Sequence, residues 1–243
     1  FGGFNGTGAF SDEQAHIRLR HAYLELTRGN TSVVLGQTWA PLLGQVPASV
    51  SHIAFPLGYG SAGVVGWRFP GIQLTRTLES SQAFSAAVKL AAMRGSWSGP
   101  GDNLAGESAG EAAAFPQLEA RLDLTGEAHD LSWSVYAVAH LDKKDLSGTE
   151  GLGENDDGLW GRAVEAGGRV QARRVTLQGN AYMGRAIGHQ LGQLAQFGDI
   201  RSTGAWVQAG YDLTSRWSGW VFMGYGDPDD EDVRALGSTG RLG

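Results

Sequence analysis

An all-β fold, an antiparallel transmembrane β-barrel, is what this sequence predicts, on three observations. Apolar and polar residues alternate with period two over most of the chain. In Gln117 to Thr125, Leu118, Ala120, Leu122 and Leu124 oppose Gln117, Glu119, Arg121, Asp123 and Thr125. Short turns largely alternate with long loops, the form of barrels with tight turns on one rim and extended loops on the other. The apolar face uses many small residues, while Trp39, Trp67, Trp97, Trp133, Trp160, Trp217 and Tyr225 gather near strand ends, where membrane barrels carry interfacial girdles.

Reading for alternation gives about eleven strands separated by turn-rich segments. Ala15 to Arg28 is followed by the turn Gly29-Asn30 and by Ser32 to Trp39. Its faces are uneven: Ile17, Leu19 and Tyr23 oppose Arg18 and Arg20, but Leu24 and Leu26 fall on the arginine face, which predicts a bulge or an early strand end. Gly63 to Pro70 and Ile72 to Leu78 are expected to form a hairpin. Ala83 to Trp97 follows, with Phe84, Ala86, Val88, Leu90 and Ala92 on the apolar side. After Gln117 to Thr125 comes Leu131 to Leu141, in which Leu131, Trp133, Val135, Ala137 and Ala139 oppose Ser132, Ser134, Tyr136, Val138 and His140. Leu159 to Ala172 and Val175 to Arg185 form the next pair, the latter with Thr176, Gln178, Asn180 and Tyr182 on its polar side. Thr203 to Leu213 and Arg216 to Tyr225 complete the series, and no helical period is sustained anywhere.

Composition narrows the functions. The chain has 243 residues, 38 glycines and no cysteine, so long helices, disulfides and thiolate chemistry are disfavoured. A net charge of −6 offers no basic field for nucleic acid, and the acids cluster between strands in Glu150 to Asp157 and Asp227 to Asp232. No apolar run reaches the roughly 18 residues of a membrane helix, but barrel strands need only about 10 alternating residues each. Phe1 to Phe10 lack the features of a signal peptide, and the chain opens without Met and closes on Gly-Arg-Leu-Gly. Residues 1–243 are therefore expected to be one barrel domain truncated at both ends, part of a parent of about 16 strands.

A soluble sandwich would also alternate, with its apolar face inside. In a bilayer the faces invert. Hydrocarbon cannot satisfy open backbone groups, so spanning strands close into a barrel with apolar residues toward lipid and polar residues toward a wet lumen. Glu119, Arg121, Asp123, Glu165 and Arg169 then line a water-filled path.

Three strings bear on function: Arg18-Leu19-Arg20-His21-Ala22-Tyr23, Leu35-Gly36-Gln37-Thr38-Trp39, and Gly179-Asn180-Ala181-Tyr182-Met183-Gly184-Arg185. Together they resemble DcaP-like porins, trimeric outer-membrane channels of Gram-negative bacteria. The resemblance implies a homotrimeric porin in the outer membrane, among lipid and lipopolysaccharide, passing small hydrophilic solutes with a preference for small organic anions such as dicarboxylates. It implies no cofactor. By the same analogy Arg18 and Arg20 project into the lumen and build an electropositive constriction, and residues 40–62 occupy the place of an inward-folded constriction loop. Arg68, Lys89, Arg121 and Arg169 are read at lumen-facing parity and would extend the cationic ladder; a ring of fixed cations draws anions and repels cations.

Enzyme motifs fare poorly. Gly58-Tyr59-Gly60-Ser61-Ala62-Gly63 fits a dinucleotide fingerprint but is followed by the strand-like Val64-Val65-Gly66-Trp67 instead of a helix. Gly106-Glu107-Ser108-Ala109-Gly110 fits a nucleophile elbow but lies in a loop-like stretch. The six histidines are scattered, and His140 with Asp142 reads as a rim pair. Glu154-Asn155-Asp156-Asp157 reads as a solvated loop, with binding of a divalent cation as the other reading. A structural or adhesive barrel with a plugged lumen is the alternative function, kept open by Trp206, Trp220 and Phe222 at lumen parity; a barrel hydrolase comes last.

Overall fold

The computed structural model describes residues 21–48, 68–81, 83–95, 109–145, 158–187 and 198–238. Ten strands form one antiparallel sheet in chain order, each paired with the next: β1 (Ala22–Arg28), β2 (Thr31–Trp39), β3 (Arg68–Ser80), β4 (Phe84–Met93), β5 (Gln117–Ala128), β6 (Leu131–Lys144), β7 (Leu159–Ala172), β8 (Val175–Arg185), β9 (Arg201–Asp212) and β10 (Ser218–Pro228). A short helix, α1 (Ala109–Ala112), precedes β5, and a longer one, α2 (Asp230–Ser238), follows β10.

One expectation is corrected here. The hairpin of Gly63–Pro70 with Ile72–Leu78 is absent from the described part, because Arg68 to Ser80 is one strand running straight through Pro70-Gly71. Gly71 serves close approach instead of a turn: a Cβ there would lie 2.5 Å from the Ala92 carbonyl oxygen and 2.6 Å from Met93 Cα. Of the first strand only Ala22–Arg28 is described, and it pairs residue by residue with β2 from Ala22–Gln37 to Arg28–Thr31; residues 15–20, on which the expected change of face depends, lie outside the described part. A register shift sits between β3 and β4, at Thr77/Glu79.

The sheet is inside out compared with a water-soluble one. On β8 and β9, Leu177 and Val207 are 50% and 53% exposed, whereas Gln178 and Gln208 are 5% and 2% exposed. Leu118, Leu122, Val135, Val164, Met183 and Val221 share the exposed outer face, and Gln117, Glu119, His140, Glu165 and Asn180 share the covered inner one. Such an outer surface is at rest only against hydrocarbon, where the continuous ladder of backbone hydrogen bonds leaves no polar group facing lipid between the strands. Outward-facing Trp39, Trp160 and Tyr225 lie toward one end of the strands and Phe84, Trp133 and Tyr211 toward the other, the positions of two aromatic girdles.

Both ends follow from turn chemistry. Gly29-Asn30, His129-Asp130 and Arg173-Arg174 close three hairpins with left-handed φ of 56°, 52° and 51° at their first residues, and residues 81–83 and 213–217 close the other two at the same rim. The other strand ends, Trp39 and Arg68, Met93 and Gln117, Lys144 and Leu159, and Arg185 and Arg201, all lie at the opposite rim and are joined by longer stretches of sequence.

At that rim α2 is capped by Asp229, whose Oδ1 accepts from the amides of Glu231 (3.1 Å) and Asp232 (3.0 Å). Val233 packs on buried Ile200, and Arg201 reaches Asp229 (3.1 Å) and Asp232 (2.9 Å).

Two predictions follow from this arrangement. Val164→Arg puts a cation against hydrocarbon and is expected to cost about 2–4 kcal/mol in denaturant unfolding in bilayers, while the inner-face change Arg169→Gln stays within about 0.5 kcal/mol. Hydrogen bonds from Arg201 hold the Asp232 carboxyl below the ordinary carboxylate range. Its contribution is therefore complete above the unfolded carboxylate value and is lost as pH falls through the depressed one. Hydrogen exchange of the Val233 amide is expected to rise only in that acidic window, and Asp232→Asn should abolish the pH dependence.

Candidate functional site: a strap across the inner face

Polar side chains buried in a sheet must find partners, because each unpaired one costs about 1–3 kcal/mol. On the inner face many find them in a single stretch of chain. Residues 40–48, leaving the end of β2, run across the inner face from β3 to β9 as an extended strap.

The strap is fastened strand by strand. Ala40 is buried with Phe69, Ala91 and Met93 on β3 and β4. On β5, Glu119 Oε2 accepts from the Leu42 amide at 2.6 Å, and Arg121 donates through one terminal nitrogen to the carbonyls of Pro41 (2.9 Å) and Leu43 (3.0 Å). The Leu42 side chain enters a cluster with Tyr136, Val138, Ala163, Tyr182 and Ile187. The Tyr136 hydroxyl on β6 accepts from the Gln45 amide (3.0 Å) and donates to Glu165 on β7. On β8, Gln178 accepts from the Gln45 side chain at 3.0 Å. The Gln208 side-chain amide on β9 then binds both Ala48 N (2.7 Å) and Ala48 O (2.8 Å), as a neighbouring strand would. Gly44 is required midway: a Cβ there would collide with the Tyr136 hydroxyl and with Glu165.

Beside the strap runs a chain of buried charges. Glu119 accepts from Gln117 (2.7 Å) and meets His140 Nδ1 (3.0 Å), His140 Nε2 lies 3.7 Å from Asp142, and Asp142 pairs with Lys144 at 2.7 Å. Lys144 also donates to the Ala186 carbonyl at 3.1 Å. All five side chains are buried, and His140 with Asp142, read from the sequence as a rim pair, lies near the loop end of β6 and continues the inner wall toward the loops.

The cations singled out by sequence fall into four situations. Arg18 and Arg20 lie outside the described residues. Arg68 is on the wrong face for a lumen residue. Its parity is that of exposed Ile72 and Leu74, while buried Phe69 and Gln73 face inward, and its guanidinium stacks 3.4 Å above the Trp39 ring. Arg121 faces inward but is committed, bound to Asp123 through two nitrogens at 2.7–3.0 Å, to the strap carbonyls, and over the Tyr136 ring at 4.2 Å. Lys89, the cross-strand partner of Arg121, and Arg169 also face inward. Lys89 has no hydrogen-bond or ion-pair partner among the described residues, and Arg169 donates to Gln171 at 3.1 Å.

Within 40–62, residues 49–62 lie outside the described part, as do the glycine-rich match at 58–63 and the acidic loop 154–157. Of the match at 106–110, Ala109 and Gly110 are described and open α1. The strap's anchors were missed by sequence reasoning. Glu119, Tyr136, Gln178 and Gln208 were visible as inner-face polar residues, but contacts 77 to 160 residues away leave no local signal.

A large antiparallel sheet with an apolar outer face, aromatic girdles, tight turns at one rim and an inward-folded strap is the architecture of a transmembrane β-barrel wall. Neither the protein-family models nor the curated proteins contain a match to this chain. Among solved structures, the outer membrane channel DcaP of Acinetobacter baumannii matches with a TM-score of 0.64 at 18% sequence identity, over 94% of this chain and 62% of that one. The chain thus has the fold of that channel and spans less than two thirds of its length.

Tyr136→Phe removes the acceptor of the Gln45 amide and a donor to Glu165. The loss is expected to be about 1–3 kcal/mol, read as faster proteolysis within 41–48. Gly44→Ala should release the strap more completely, because neither neighbour can retreat from the added methyl group. Proteolysis within 41–48 at the unmodified rate in both variants would contradict both.

Proposed function

We propose that this chain forms the wall of an outer-membrane porin that lets small hydrophilic solutes diffuse passively, with a preference for small organic anions such as dicarboxylates. The observation that carries the reading is the strap-crossed polar inner face enclosed by an apolar outer face. A strap on that face narrows the path, and fixed charges beside a constriction act on passing ions at close range.

Around the strap the carboxylates already hold partners, while Glu25 on β1 and Glu127 on β5 share the inner face without a cation partner among the described residues. Asp123 is bound by Arg121, Asp142 by Lys144, and Glu165 by Tyr136 and Asn180 (3.0 Å), while Glu119 holds Gln117, His140 and the Leu42 amide. Lys89 and Arg169 are the inner-face cations without a carboxylate partner among the described residues. On this reading the pore is built as a homotrimer in the outer membrane, with lipid and lipopolysaccharide against the outer face, and the remaining strands close a barrel of about 16. A plugged structural barrel is the competing reading, favoured by the density of strap contacts.

Planar-bilayer recordings separate the two. The full-length protein is expected to give open-channel current with a reversal potential displaced toward the anion in a salt gradient. Lys89→Glu should move that potential toward the cation by several millivolts without abolishing current, and more strongly at low ionic strength, where screening is weak. Absence of current would overturn the porin reading; an unmoved reversal potential would remove Lys89 from selectivity.

A further inference from the structure

The inner face is divided. Charged side chains cluster on β4 to β7: Lys89, Glu119, Arg121, Asp123, His140, Asp142, Lys144, Glu165 and Arg169. Across the strap the character changes. From Thr176 to Gly184 on β8, Ser202 to Gly210 on β9 and Ser218 to Gly226 on β10, no inward position carries a charge. Those positions hold amides (Gln178, Asn180, Gln208), aromatic rings (Tyr182, Trp206, Trp220, Phe222) and glycines.

The rings lie flat against the wall because the glycines allow it. A Cβ on Gly210 would meet the six-membered ring of Trp220 at 2.5–2.6 Å, and one on Gly204 would meet the Tyr182 ring. Each glycine is the floor on which an aromatic side chain rests. Trp206 and Phe222 stack at 5.7 Å with planes 26° apart, and Trp220 and Phe222 remain partly exposed. Tyr182 and Trp206 are buried, so the faces open to a passing solute are those of Trp220 and Phe222. Partners suited to such a face are cations, other aromatic rings and the apolar C–H face of a pyranose.

Neighbouring polar atoms select among these. Asn180 Oδ1 and Trp206 Nε1 are buried without a hydrogen-bond partner among the described residues, one an acceptor and the other a donor. They belong to facing residues on β8 and β9. A hydroxyl both donates and accepts, so a polyol can match the pair, whereas a carboxylate or an inorganic anion brings acceptors only. Between Thr176 and Gly184, Ser202 and Gly210, and Ser218 and Gly226 a cation finds no carboxylate; Asp212 lies beyond them, at the turn end of β9.

We infer that the β8–β10 half of the inner face is a binding track for neutral saccharides, with Trp220 and Phe222 as stacking platforms and Asn180 Oδ1 with Trp206 Nε1 as hydroxyl partners. This deepens the proposed channel function and rests on it for transport, but not for binding. It adds a class of solute that the cationic half does not serve.

The test uses the full-length protein in planar bilayers with glucose, maltose and maltotriose added to one side. The expected result is concentration-dependent interruption of the ion current, with affinity rising with the number of sugar units. Trp220→Ala with Phe222→Ala should weaken the block about tenfold, while Trp220→Phe retains most of it and Lys89→Gln leaves it unchanged. Tryptophan fluorescence titration with the same sugars in detergent gives a second reading that needs no current. Current without block or fluorescence change overturns the saccharide track and leaves the porin reading standing. A fluorescence shift without any current sinks the porin reading and keeps the track. Block that persists unchanged in the double alanine variant overturns the assignment to Trp220 and Phe222.

Discussion

Everything in this molecule depends on the inversion of its faces. Once Leu177, Val207 and their neighbours are turned outward, the alternation of a strand sends every intervening side chain to the other side, and that side becomes polar by necessity. The outer face then needs only a ladder without gaps, which ten consecutively paired antiparallel strands supply across the described residues. The inner face has a harder problem. Its amides, hydroxyls and charges are too close together to be left dry and unpaired, so each must meet water, another side chain or a segment of backbone.

The strap answers that problem with backbone. An extended chain crossing a sheet offers amides and carbonyls to the side chains beneath, and Glu119, Arg121, Tyr136, Gln178 and Gln208 take them up in order. Neutral amides and a hydroxyl make most of these bonds, which suits a surface facing solvent: they contribute without long-range fields. Where a charge is used, it is compensated at once. Arg121 holds the strap and neutralises Asp123 together, and the Tyr136 ring beneath its guanidinium adds a cation–π contact.

How much of this could be read from the sequence depends on the range of the interaction. Strand existence and face assignment are local, and Leu118, Leu122 and Leu124 were correctly opposed to Glu119, Arg121 and Asp123 by counting residues. Arg68 failed because Pro70-Gly71 looks like a turn, and splitting the strand there reversed the parity of its first half. A glycine next to a proline is ambiguous from sequence alone, since close approach to Ala92 and Met93 requires the same residue that a turn would. Helix α2 was legible in principle: an aspartate followed by Asp230, Glu231 and Asp232 is a capped and dipole-matched start, hidden by reading the run only as loop charge. The strap's fastenings were out of reach, because nothing near Gly44 announces a tyrosine on β6.

The division of the inner wall has a consequence for how its charges act. Burial of Glu119, His140, Asp142 and Lys144 in one connected chain removes water from between them, with His140 between the two carboxylates and Lys144 paired to the second. A compensated chain has little net field at the distance of a passing ion, whatever its number of charges. Fixed charge that a solute can feel is therefore set by the uncommitted groups, and counting arginines overstates it: Arg68 faces outward and Arg121 is spent on Asp123 and the strap. Lys89, on the same row as Arg121 but without its partners, is the position where one charge has the most room to matter. On the proposed channel function, selectivity in such a wall is governed by pairing before composition.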